Sequence, residues 1–433
     1  MRVLGVFAVM VPALVFSTIR PIQAFVVSTT TYFGVSTYVD FEDPVHSPVE
    51  TAVLMDLELF GYSNNIEIHS KFRINVNSDE FRMAEIRVNW APTDRVTVTA
   101  GRFGVDWSRA VFFPVTPLFS PSQMPSGSPI DTDRAATHAW LLSATWFGDR
   151  LYTRVHFSPT PPHFEFPSVE SRWFPRESVP SIVGLVLPGR GRVFWYRDSI
   201  ELRMVAPDSS LATLSLSAEI GASFARFDVA AVAYHGWDSR LVMAMDLPLK
   251  LDDDGMPVDF VVTVSPAYTR HAVIAAQAGG SIRAFWWWLE IAGIPKTVLA
   301  RAAAATDAAT VPAATVAGTG GVGWFLPNGF GSLVLESTYL TVFADASYVV
   351  PPLTRATAAF LEITPDRTTS RFRIGGVFEY PETGAAVTAE MVFTPHSQLE
   401  ISLLGLTFFS STKAFFRNFS EIHLVTARAT IRF

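Results

Sequence analysis

From Asn65 to Val76 polar and apolar positions alternate along the chain. Asn65, Glu67, His69, Lys71, Arg73 and Asn75 fall on one face of an extended segment, and Ile66, Ile68, Ser70, Phe72, Ile74 and Val76 on the other. Strands in soluble half-buried sheets seldom run this long. The next segment repeats the pattern, with Glu85, Arg87 and Asn89 set against Ala84, Ile86, Val88 and Trp90. Between Trp90 and Val96 stands Ala91-Pro92-Thr93-Asp94, in which Pro presets φ and Asp can hydrogen-bond the backbone of a tight turn. Similar turns are predicted at Val205-Ala206-Pro207-Asp208, Val264-Ser265-Pro266-Ala267, Ile363-Thr364-Pro365-Asp366 and Phe393-Thr394-Pro395-His396, and Phe147-Gly148-Asp149-Arg150 does the same without Pro. Strand, turn, strand in this rhythm predicts an antiparallel meander.

The C-terminus closes on the same alternation. Leu424, Thr426, Arg428, Thr430 and Arg432 interleave with Val425, Ala427, Ala429, Ile431 and a terminal Phe433. One face is polar from Thr426 onward and the other wholly apolar. In this strand and its last residue the chain resembles the bacterial outer-membrane β-barrel proteins, whose final strand ends in Phe as an assembly signal. The resemblance implies an all-β fold, a single up-and-down transmembrane barrel in the outer membrane of a diderm bacterium, with lipid around it. It also implies recognition by the barrel-assembly machinery through the strand that ends in Phe433. With a periplasmic C-terminus, counting strands backward puts all the predicted turns on the periplasmic side, as short turns should be.

The N-terminus predicts export. Arg2 is followed by an apolar run from Val3 to Phe16 and then by Ile22-Gln23-Ala24, a small-residue end that predicts signal cleavage after Ala24. The run is too short for a membrane span, and Arg20 and Pro21 close it. Residues 25–433 then form the barrel, its first strand entered by about Val27. Composition agrees with this picture: charged residues are 17% and aromatic residues 13%, yet no later segment could be a membrane helix. Barrel strands reconcile these facts, since each needs only one apolar face. The net charge of -7 argues against nucleic acid as a partner, and the absence of cysteine excludes disulfides, cysteine-ligated metal and lipid attachment at cysteine.

Two segments are too long to be passive connections. Residues 104–135 carry Trp107, Phe112, Phe113 and Phe119 among five prolines, and residues 159–195 have a similar mixture. Both are predicted to be external. The first is the third external loop by strand count. In porins, which this arrangement resembles, that loop often folds inward and narrows the channel, so these four aromatics are the constriction candidates. Exposed aromatics would also carry an aggregation risk. The other arrangement is a lid made by the loops packing on each other. The Ala-rich stretch from Leu299 to Gly318 predicts a further long loop that could hold one helical turn, interrupted by Asp307 and Pro312. Strand counting is least secure there, and the total lies between 18 and 22, an even number by barrel rules.

With apolar faces toward lipid, a set of charged side chains points inward: Asp56, Glu58, Glu67, Lys71, Arg73, Glu85, Arg87, Arg154, Arg197, Glu201, Arg203, Arg371, Arg373, Glu390, Glu400, Arg428 and Arg432. An Arg facing lipid at the midplane would cost about 2–4 kcal/mol. Opposite charges on neighbouring strands can pair, giving either a water-filled channel with a transverse field or a salt-bridged plug. Phe285-Trp286-Trp287-Trp288 must divide between the two faces of a strand, as an interfacial girdle with a ring turned inward or as a luminal platform. Ala100-Gly101-Arg102-Phe103-Gly104, with Trp107 and Pro114 beyond, resembles the Gly-Arg-aromatic strand end of several porin-like families.

Catalytic signatures are lacking. There is no GxSxG, HExxH or phosphate-binding glycine loop, and Asp252-Asp253-Asp254-Gly255 lacks the spaced ligands and distal Glu of a calcium loop. Nothing in the sequence calls for a cofactor or a metal. The leading expectation is a non-enzymatic, porin-like channel for small hydrophilic solutes, and porins commonly trimerise. A surface adhesin using the long loops and a transporter of hydrophobic molecules are the alternatives; the latter would need an N-terminal plug.

Overall fold

In a computed structural model the chain closes into one antiparallel barrel of 18 strands. The structure describes residues 24–38, 49–63, 65–75, 80–105, 107–113, 139–160, 185–187, 191–193, 200–202, 214–238, 243–246, 250–251, 257–259, 262–266, 269–300, 310–344, 355–365, 369–381, 383–411 and 423–432. The barrel strands are β1 (Ala24–Tyr38), β2 (Val49–Ser63), β3 (Ile66–Asn75), β4 (Glu80–Thr93), β5 (Val96–Phe103), β6 (Ala139–Phe147), β7 (Leu151–Ser158), β8 (Ser215–Ser223) and β9 (Phe227–Trp237). They continue with β10 (Arg270–Ile282), β11 (Phe285–Ala300), β12 (Thr310–Phe325), β13 (Gly331–Phe343), β14 (Arg355–Ile363), β15 (Ser370–Glu379), β16 (Gly384–His396), β17 (Leu399–Ser410) and β18 (His423–Arg432). Each pairs with its sequence neighbour, and β1 closes on β18 with Thr30 opposite Arg432 and Tyr38 opposite Leu424. Closure removes the open edges that would otherwise recruit other chains.

The start of β1 and the end of β18 lie at one end of the barrel. The connections at that end are short, among them 64–65, 94–95, 148–150, 283–284 and 397–398. At the other end they include 104–138, 159–214 and 238–269. Outer-membrane barrels have short periplasmic turns and long external loops, so the terminal end is periplasmic.

The strand register fixes the two faces. Ile274 is 68% exposed, and Leu289, Ile291, Ile374, Leu403, Phe409 and Val425 are exposed on the outer wall, while Val273, Glu290 and Thr426, the sequence neighbours of Ile274, Leu289 and Val425, are buried inside. In water this exterior would forgo about 1.5–3 kcal/mol of burial for each large apolar side chain. It is a lipid-facing surface. No helix among the described residues is long and apolar enough to cross a membrane, so the strands do the crossing.

Three sequence expectations need correction. Val264-Ser265-Pro266-Ala267 is not a periplasmic turn: Val262–Pro266 is a strand of a separate three-stranded sheet within the external β9–β10 connection. Pro266 is tolerated there because only Met243 pairs with it, the other neighbouring strand stopping at Val264. Ile200–Leu202 runs parallel to Val262–Val264 in that same sheet, which takes Glu201 out of the barrel wall and lengthens the external β7–β8 connection to 159–214. The Ala-rich stretch is strand over much of its length, β11 reaching Ala300 and β12 starting at Thr310. Its helix propensity gives way to pairing on a growing sheet. Pro312 pairs with Val298 of β11 at a level that β13 does not reach. Val205-Ala206-Pro207-Asp208 and Asp252–Gly255 lie outside the described residues.

Candidate functional site

The third external connection enters the barrel. Its turning point is prepared at Gly101, whose φ of 143° lies outside the range of other L-residues and where a Cβ would stand 2.0 Å from the Ile86 carbonyl oxygen. This explains the glycine in the Gly101-Arg102-Phe103 strand end. Phe103 and Trp107 then bury themselves against the inner faces of β6, β9, β10 and β11, in a cluster with Leu141, Val232, Tyr234, Val273, Ala292 and Ile294. Trp107 also meets His156 of β7 edge to face, with ring centroids 4.8 Å apart. The inner wall is thus not uniformly polar. Toward the external end of β9–β11 it carries an apolar patch, and the incoming aromatics cover it.

Past Trp107 the segment is held by two carboxylates that the wall points inward. Glu290 of β11 accepts hydrogen bonds from the Ser108 hydroxyl at 2.9 Å, from the Ala110 amide at 3.1 Å and from the Arg109 amide. Glu336 of β13 accepts from the amides of Val111 at 2.7 Å, Phe112 at 2.9 Å and Phe113 at 2.6 Å, and from Trp288 Nε1 at 2.8 Å. Each Glu336 oxygen takes two donors, which matches the lone pairs of a carboxylate. Both side chains are nearly inaccessible, at 2% and 1% exposure. A carboxylate can be buried so deeply when charge-assisted hydrogen bonds replace its water.

The strap has two more fixings. Arg109 forms an ion pair with Asp228 at 2.6 Å, at the periplasmic end of β9, and Phe112 stacks on Phe360 of β14 with centroids 4.3 Å apart. Since Phe103 ends β5 at the external side, the strap descends through most of the wall between residues 103 and 109, which an extended chain can do at about 3.3–3.6 Å per residue. From β5 to β14 is half the circuit of an 18-strand barrel. Trp288 reaches Glu336 because its ring lies flat over Gly321, where a Cβ would come within 2.2 Å of the indole. Trp286 lies likewise over Gly323, so two of the three tryptophans face inward, while Phe285 stacks on Trp324 outside.

The rest of the inner wall carries paired charges. Asp56, fully buried, receives Arg73 at 2.6 and 2.8 Å and Lys71 at 3.2 Å; Lys71 also reaches Glu58 at 3.4 Å. Glu85 lies 3.5 Å from His69 and 3.6 Å from Arg87. On the far side Arg373 bridges Glu362 at 2.8 Å and Glu390 at 3.4 Å, and Glu400 takes Arg432 at 3.2 Å with Arg428 at 4.0 Å. Arg154 pairs with Glu219 at 3.4 Å, and Glu219 also accepts from Tyr152. Glu67 and Arg371 share the inward register. Of the predicted inward charges, Arg197 and Arg203 lie outside the described residues, as does Phe119 of the loop candidates, and Glu201 belongs to the separate sheet.

Sequence reasoning missed Glu219, Glu290, Glu336 and Glu362, along with Asp228 and Arg109. The signal was present for two of them: Glu290 stands between Leu289 and Ile291, and Glu336 between Leu335 and Ser337, each an isolated acid in a strand whose other face is apolar. Histidines and acids do meet, as in His271 and Asp238 at 3.1 Å with Thr297 donating to the same carboxylate at 2.9 Å. No group of three or more potential ligands among the described residues is arranged to hold a metal ion.

A closed barrel with a lipid-facing exterior and this asymmetry of connections is an outer-membrane barrel. No family model matches the chain, and no curated protein matches it in sequence. Among solved structures it is similar to OccK2 of Pseudomonas aeruginosa, solved with glucuronate, at 8% identity and a TM-score of 0.49, covering 95% of this chain and 96% of that one. It is similar to the outer-membrane protein OpdK of Pseudomonas aeruginosa at 8% identity and a TM-score of 0.49, over 95% and 98% of the two chains. The outer-membrane channel DcaP of Acinetobacter baumannii gives 8% identity and a TM-score of 0.43 over 95% and 97%. The barrel architecture stands on the strand pairing and the two faces of the wall.

Proposed function

We propose that the chain is a porin-like channel for passive diffusion of small hydrophilic solutes, without enzymatic activity, exported with cleavage after Ala24 and assembled as a homo-trimer. The observation that carries this reading is the strap. Its contacts run along β6–β14, and the ion-paired faces of β15–β18 and β2–β4 stand across the lumen from it. A loop fastened to one side narrows a barrel without needing to fill it, and paired charges on the remaining wall suit water and polar solutes. Asp56, Glu58, Glu67, Lys71, Arg73, Glu85, Arg87, Arg154, Arg371, Arg373, Glu390, Arg428 and Arg432 are the pore-lining set, and Trp107, Phe112 and Phe113 belong to the constriction. The barrel-assembly machinery would read the strand ending in Phe433.

The test is electrical. Refolded protein whose barrel is verified by heat-dependent gel mobility is inserted into a planar bilayer. Stepwise conductance increments support the channel. A folded barrel that stays electrically silent sinks it and moves the weight to the long external connections as a contact surface.

A further inference from the structure

Positive charge on the inward wall is almost fully matched. Among the described side chains, every other lysine or arginine on the inward face of a barrel strand has a carboxylate within 4.0 Å. Arg371 has none. It is the second residue of β15, at the periplasmic end, and its inward direction follows from Phe372 and Ile374, which are exposed on the outer wall. Its cross-strand partner is Val392. The two acids closest in register, Glu362 and Glu390, are both engaged by Arg373.

The Nε of Arg371 is buried with no hydrogen-bond partner, and unlike Arg87, whose Nε also makes no hydrogen bond but lies 3.6 Å from Glu85, it has no carboxylate within ion-pair distance; the side chain as a whole is half-buried on the inward face. A guanidinium is always charged, so it cannot answer a missing partner by releasing its proton. The strands beside it add to the imbalance: among the described side chains of β14–β18 near the periplasmic end, Arg371, Arg373, Arg428 and Arg432 stand against Glu362, Glu390 and Glu400, one positive charge in excess. An unmatched fork of donors on a wall where other cations are matched calls for a partner from outside the protein. Its planar geometry fits the two oxygens of a carboxylate or a phosphate.

We propose that Arg371 is a binding station for a small oxyanion, a carboxylate or a phosphate, at the periplasmic end of the lumen. The proposal deepens the channel reading and rests on it for the route by which the anion arrives. The excess charge attracts anions into the mouth, and the open guanidinium gives them a place to pause.

The test compares wild type with Arg371→Gln, which keeps a polar side chain and removes the charge. Arg150→Gln, in the exposed 148–150 turn at the same end, is the control for a change of net charge alone. In planar bilayers with KCl, succinate and inorganic phosphate are titrated as blockers and the reversal potential is read in a KCl gradient. The expected result is a shift toward cation preference and block weakened about tenfold or more in Arg371→Gln, the loss of a charge-assisted hydrogen bond, with Arg150→Gln like wild type. Block by succinate alone or phosphate alone identifies the oxyanion. Equal block and equal reversal potential in wild type and Arg371→Gln overturn the proposal. A folded but silent barrel refutes the channel reading, and calorimetric titration of both anions into the same detergent-folded proteins then decides this one: affinity lost in Arg371→Gln supports the station, and no difference removes it.

Discussion

Glu336→Gln should release the strap. The change is nearly isosteric, so it opens no cavity, but it replaces an acceptor pair by one acceptor and one donor. In the native wall one oxygen of Glu336 takes the amides of Phe112 and Phe113, and the other takes the amide of Val111 and the Trp288 indole. Whichever way the new amide turns, its NH2 group meets two donors, and both are left without an acceptor in a site 1% exposed. A buried donor without a partner costs about 1–3 kcal/mol, so docking is weakened by about 2–6 kcal/mol. That shifts the ratio of docked to released strap by at least about thirtyfold. Single-channel recording reads the effect as a larger or a switching conductance level, with heat-dependent gel mobility showing that the barrel itself is intact. Trp288→Phe removes one of the four donors and leaves the carboxylate, so its effect should be smaller. A Glu336→Gln channel with the same conductance and the same noise as wild type would refute the assignment of Glu336 as the fastening point.

Three further outcomes follow from the same geometry. Gly101→Ala places a Cβ 2.0 Å from a backbone oxygen at φ 143°, so the strap should enter misdirected, and conductance histograms should broaden while the folded fraction on gels falls. Asp56→Asn leaves Arg73, 7% exposed, with an uncompensated charge and should lower barrel stability by about 3–5 kcal/mol in denaturant unfolding from detergent or lipid; an unchanged midpoint would show that water already reaches this pair. Ile274→Arg puts a cation on the outer wall and should cost about 2–4 kcal/mol if the position lies near the bilayer midplane, read as lost folding efficiency into lipid vesicles, whereas folding equal to wild type would argue against lipid contact at this face.

The barrel was legible where one face of a strand contrasts with the other. Ile66–Asn75 and the terminal strand to Arg432 show that contrast, and both sit in the wall in the register their alternation requires. Contrast fails on β9 and β10, where inward Val232 and Val273 match outward Val229 and Ile274 in polarity, and a period of two carries no information about which face is which. What hid the apolar inner patch also hid the reason for the inward loop. Pro-based turn reading came within a few residues of the turns at 94–95 and 397–398, with β4 and β16 running through Pro92 and Pro395 as strand, and failed at Val264–Ala267, because Pro marks any place where a strand needs no amide on one side, including the end of a short strand outside the barrel.

The fastening points could have been found by asking a different question of the same residues. An isolated acid on the inward face of a strand with apolar or uncharged inward neighbours has no cation in the wall to satisfy it. Glu290, flanked on its face by Trp288 and Ala292, and Glu336, flanked by Val334 and Thr338, are in that position. Their partners had to come from outside the wall, and the segment after Trp107 supplies amides, which need no particular side chain and leave no mark in the sequence. The apolar patch explains why the loop turns inward, and the two acids explain where it stops. Arg371 presents the same problem with the opposite sign, a charge on the inward wall that no described wall residue answers. No strap segment among the described residues answers it either, and that difference points from structure toward solute.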